Sequence, residues 1–111
     1  MIEEKVIKYL TEALAVSVSI EKPKGKKAFV LVDKTGSGEE DRIKNATFAI
    51  QSYAETLHEA ATLNEEVKLA MEGMKAITNI SSVKLNTDYN FTDEDTKEYR
   101  YQAVYDLVYM E

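Results

Sequence analysis

The chain has 111 residues, of which 44% are hydrophobic and 31% charged, with no Cys, one Pro and four Gly. That is one domain, residues 1–111, because so short a chain cannot divide its core, and the apolar content argues against disorder. The missing cysteines exclude disulfides, thiolate metal sites and cysteine nucleophiles. The 14 basic against 20 acidic residues, a net charge of -6, lack the footprint of a protein that grips a phosphate backbone.

The charge is uneven: residues 1–35 hold seven Lys and five acids, whereas residues 36–111 are strongly acidic. Such asymmetry suits a protein that meets a partner, or its own copies, in a fixed orientation. No run approaches the ~18 apolar residues that span a bilayer, so no membrane partner is expected. Met1-Ile2-Glu3-Glu4-Lys5 is acidic and amphipathic, which predicts no secretory signal and an intracellular protein. The Asn-X-Ser/Thr triplets at Asn45, Asn79 and Asn90 then carry no glycosylation meaning.

In chain order, Ile2, Val6, Leu10, Ala13 and Leu14 recur at helical spacing and predict a first amphipathic helix. Val16 to Ile20 alternates as a short strand, and Glu21 to Lys27, with Pro23 and Gly25, reads as a basic loop. Ala28 to Val32 is an apolar run of strand length. Asp33 to Asn45 reads as a long polar loop with Gly36-Ser37-Gly38 as a flexible tip, followed by a strand over Ala46 to Tyr53. Thr56 and Glu59 fit a capping box that opens a long helix carrying Ala60, Leu63, Val67, Ala70, Met71, Met74 and Ile77 on one stripe. Val83, Leu85, Thr87, Tyr89 and Phe91 alternate with polar residues, which predicts a strand half-buried on that side. After the acidic turn Thr92 to Thr96 comes a last strand with Tyr99, Tyr101, Tyr105 and Tyr109 on one face. Those rings suit a core or an interface. The order α-β-β-β-α-β-β predicts an α+β domain: a mixed or antiparallel sheet of about five strands with two helices packed on it.

Candidate chemistry is sparse. Asp33-Lys34-Thr35-Gly36 follows a strand as the phosphorylated aspartate of P-type pumps does, but Ser37 replaces their next Thr and the rest of that machinery has no room here. Gly36-Ser37-Gly38 is followed by Glu39-Glu40-Asp41, which would repel phosphates. His58 is the only histidine, too little for a zinc site or a triad, and reads as solvated. Asp93-Glu94-Asp95, with Asp88 nearby, lacks the spacing of a calcium loop. No catalytic residue, metal or cofactor is expected.

The ordered wording of the chain resembles the tail terminator (tail-completion) proteins of long-tailed phages and prophages of Gram-positive bacteria. The segments that carry it are the N-terminal helix, the loop with Pro23, Phe29 to Gly36, Ala46 to Ala54, the helix opening at Leu57-His58-Glu59-Ala60-Ala61, Asn64 to Val67, Val83 to Asp93 and Arg100 to Leu107. The resemblance implies a structural protein of the virion, assembled in the host cytoplasm. It implies a hexameric ring of the chain's own copies in the virion, compatible with a monomer in solution, that caps the tail-tube protein, stops its polymerisation and presents a surface to a head-completion or neck protein. A head–tail joining protein of the neck is the neighbouring alternative, and a stand-alone ligand- or protein-binding domain is the more distant one. A ring needs two unlike, complementary patches per subunit. Lys22, Lys24, Lys26 and Lys27 opposite Asp93, Glu94, Asp95 and Glu98 are the candidate pair. Gly36, Ser37, Gly38 and Arg42 mark a loop expected to be mobile alone and ordered on assembly.

Overall fold

The computed structural model describes residues 1–110 of the chain. Its elements are helix α1 (Ile2–Ala13), strands β1 (Ser17–Ser19), β2 (Phe29–Glu40) and β3 (Ile43–Ala54), helix α2 (Leu57–Gly73), and strands β4 (Ile80–Asn90) and β5 (Tyr99–Tyr109). They form one α+β domain in the expected order, with the five strands in a single sheet ordered β1-β2-β3-β5-β4. β1 runs parallel to β2 and every other pair is antiparallel, so the sheet is mixed. No helix among the described residues is long and apolar enough to cross a membrane.

Both helices pack on the same face of the sheet. Ile2, Val6 and Leu10, one stripe of α1, join Val67, Met71 and Met74 from the second helical segment and Val30, Val32, Phe48, Ile50 and Leu107 from the strands in one core. Phe48 and Ile50 are fully buried because β3 is flanked by strands on both sides and roofed by α2. The Tyr stripe divides. Tyr105 and Tyr109 belong to the core, while Tyr99 and Tyr101 are half-buried.

The helix start is as expected: the Thr56 hydroxyl accepts the Glu59 amide at 3.1 Å. Its end has a tertiary cause. The Tyr9 hydroxyl of α1 donates to the carbonyl of Ala70, the acceptor an unbroken helix would offer to the amide of Met74. That amide bonds Met71 instead, and the chain tightens into a single 3-10 turn, Met74–Ala76. Gly73 fits there because a Cβ would lie 2.6 Å from the Tyr9 hydroxyl.

Two expectations are corrected. Asp33 to Asn45 is not a long loop: β2 and β3 pair continuously from Phe29↔Tyr53 to Glu40↔Ile43, closed by the two-residue turn Asp41-Arg42. Both turn residues have positive φ, 51° and 70°, the backbone of the tight hairpin turn that matches strand twist. Gly36, Ser37 and Gly38 are therefore strand residues, not a tip, and a bulge between Lys34 and Gly36 absorbs one extra residue. The expectation of a mobile loop rested on an unpaired segment, and the backbone pairing removes that premise.

The second correction concerns β4. A bulge between Leu85 and Thr87 shifts the register by one, so the alternation changes face midway. Val83 is buried on the helix side, whereas Tyr89 and Phe91 stand 40% and 38% exposed with the opposite face.

Candidate functional site

The charged segments singled out in the sequence collect at the two ends of an elongated molecule, 45 × 25 × 23 Å. One end holds the β2–β3 turn, with Glu39, Glu40, Asp41 and Arg42 all exposed. The other holds both the basic loop and the turn between β4 and β5, because Phe29, Tyr53 and Arg100 lie in one row across the sheet.

At that second end the two opposite-sign segments meet within one chain. Lys22 Nζ lies 2.7 Å from Glu98 Oε2 and sits over the Tyr53 ring. Arg100 bridges the same Glu98 at 3.3 Å, donates to the Tyr53 hydroxyl and to the Phe91 carbonyl, and covers the Phe91 ring at 4.6 Å. Lys27 lies 3.7 Å from Glu55, and Lys24 and Lys26 are exposed. Asp93 folds the turn on itself by accepting the amides of Thr96 and Asp95, of which the first does most to hold its carboxyl below the usual range. Glu94 pairs with Lys97. The expected pairing of these patches between copies is thus answered for Lys22 and Glu98 inside the chain. Loop closure places them side by side rather than on opposite flanks.

The candidate chemical groups do not converge. Asp33 lies exposed in the middle of β2 opposite Ala49, and Lys34 reaches the other way to Glu3 at 3.0 Å. The Glu3 carboxyl is held below its ordinary value by its own backbone amide and then by Lys34. His58 is exposed in the first turn of α2. Asp88 is turned away from Asp93: its Oδ1 accepts from Asn64 Nδ2 at 3.1 Å and from Lys68 at 3.3 Å, both on α2. Lys68 also bonds Glu65 at 2.7 Å, and that contact first, then Asp88, holds its ammonium above the ordinary value. Among the described residues no three His, Asp or Glu side chains are placed to hold a metal ion.

This knot between α2 and β4 was not legible in the alternation, because the bulge at Asn86 is what turns Asp88 towards the helix. Asn64 is 1% exposed, and its Oδ1 has no hydrogen-bond partner. Asp88→Ala then leaves both ends of a buried amide unsatisfied and is expected to cost about 1–2 kcal/mol. Asp88→Asn, which keeps an acceptor, should cost less. Urea midpoints of the two variants check the ranking.

The face of the sheet away from the helices carries a chain of polar side chains that the sequence reading missed. The Tyr53 hydroxyl donates to Gln51 Oε1 at 3.0 Å, Gln51 Nε2 to Gln102 Oε1 at 2.7 Å, and Gln102 Nε2 to the Tyr89 hydroxyl. Beside it, Asp106 accepts from Thr47 at 2.8 Å and Asn86 at 3.1 Å. The polar half of the alternation in β5, Arg100, Gln102 and Asp106, was the available signal. Its partners depend on strand order. Near the β2–β3 turn this face has an open hollow of about 240 Å³ between Glu40, Asp41, Ile43, Asn45 and Val108. The hollow beside the start of α1, about 340 Å³, opens between Glu3, Lys34, Ser37, Glu39 and Lys44, where opposite charges neutralise one another. No family model matches the chain, and no curated protein matches it.

Proposed function

We propose that the chain is a structural assembly protein, the tail terminator of a long-tailed phage or prophage, which caps the tail tube as a ring of its own copies. The observation that carries this reading is that the two ends of a 45 Å-long molecule are chemically unlike, the exposed Glu39-Glu40-Asp41-Arg42 turn at one and the basic loop with the β4–β5 turn at the other. A ring whose axis follows the strands presents the β2–β3 turn on one rim and the two charged loops on the other. Two chemically different rims suit two different neighbours, the last tail-tube ring and the head-completion protein. The polar chain of Gln51, Gln102 and Tyr89, bonded to itself, leaves few free donors with which to hold a passing phosphate backbone.

Deletion of the gene in the phage, followed by electron microscopy of the particles, tests the reading. Overlong, unterminated tails are expected. Tails of normal length refute the terminator, and normal tails that fail to join heads indicate the neck protein instead.

A further inference from the structure

The sheet ends on two unlike margins. β1 covers β2 only at Phe29–Leu31, so from Val32 to Glu40 the outer side of β2 has no neighbouring strand. On the opposite flank β4 is the last strand, and its outer side has no neighbouring strand from Ile80 to Asn90. Each margin is a row of backbone donors and acceptors that can template another strand.

We infer that a second copy of this chain pairs its β2 margin with the β4 margin of the first, continuing one sheet from copy to copy. Direction supports the match. β2 is antiparallel to β3, β3 to β5 and β5 to β4, so β2 and β4 run oppositely. A copy rotated about an axis along the strands therefore sets its β2 antiparallel to the neighbouring β4, the arrangement of every long pair in the sheet. Charge supports it too. Lys84, the one basic residue of β4, lies opposite Asp106 on the face away from the helices, where β2 carries Asp33 and, seven positions on, Glu40, one of which can face it in a given register. On the helix side, exposed Leu85 borders the β4 margin and exposed Met1 overhangs β2 beside Ser37, so the junction brings two uncovered apolar side chains to one seam. Gly36, Ser37 and Gly38 keep the β2 margin free of bulky side chains, and a Cβ at Gly36 would meet nothing.

Because the margins differ, the contact is head-to-tail, and it closes into a ring or grows as a filament. The inference rests on the ring reading only for that closure. It is tested on the purified whole chain by sedimentation velocity, with amide hydrogen exchange of the associated and dilute forms. Association should protect amides in 32–40 and 80–90. Lys84→Glu should weaken association by about threefold to tenfold with the fold intact by circular dichroism. Adding Asp33→Lys and Glu40→Lys to that variant should restore it. A chain that stays monomeric at every concentration, or oligomers protected elsewhere, overturns the edge contact. The second of these leaves the terminator reading standing, whereas edge-joined oligomers together with normal tails in the deleted phage overturn the terminator reading alone.

Discussion

Phe48→Ala is expected to destabilise the domain by about 3–5 kcal/mol, a large share of the total stability of a domain this size. The ring is fully buried on β3, between Lys34 of β2 and Tyr105 of β5, under the helical layer. Strands on both sides hold β3 in place, so the walls cannot collapse into the space left behind. Phe91→Ala is the internal comparison. Its ring is 38% exposed and touches Tyr89 and the Arg100 guanidinium, so the loss should stay near 1 kcal/mol. Both phenylalanines sit in alternating apolar patterns. Urea unfolding with an unchanged slope and a much lower midpoint for Phe48→Ala alone checks the difference. Equal losses at the two sites would mean that the β4 bulge is misplaced.

The second large effect appears at alkaline pH. Burial pushes the Tyr105 phenol up to about 12, and the carboxylates of Asp88, Glu72 and Glu65 add to this while Lys68 opposes it. The folded state holds that proton more tightly than the unfolded chain, whose phenol titrates near 10. The stabilisation is complete below about pH 10 and is lost as pH rises through about 12, an amount of about 2–3 kcal/mol. Lys68, also raised, contributes a loss in the same direction. Tyr105→Phe keeps the ring and removes the titrating group. Wild type should therefore lose more stability than the variant between about pH 9 and pH 11.5 in urea titrations. Parallel curves would assign the alkaline loss to other groups.

Much of the architecture follows from local signals. The stripe of Ile2, Val6 and Leu10, the Thr56 cap and the period-two alternation of β5 each describe one element, and each element buries the face its pattern names. The β2–β3 connection escaped because its turn, Asp41-Arg42, carries no glycine, although both residues take positive φ. A polar, glycine-bearing stretch then resembles a loop. Only pairing with β3 reveals it as strand, since exposed strand residues need not be apolar. The candidate assembly residues were legible as charged segments. Their neighbourhood was not, because Lys22 and Glu98 meet only once β2, β3 and β5 are in register.

By itself the sequence determined the α+β class, the order of elements and the core faces of α1 and β5, because helical and strand periodicities are local properties of the chain. It also determined that no cysteine chemistry is available. The tertiary structure alone decided where α2 stops, which way β4 faces beyond Asn86, and which charged segments share an end. Those outcomes depend on contacts between residues far apart in the chain: a hydroxyl from another helix, a bulge read against a partner strand, and strand order. No window of neighbouring residues contains that information.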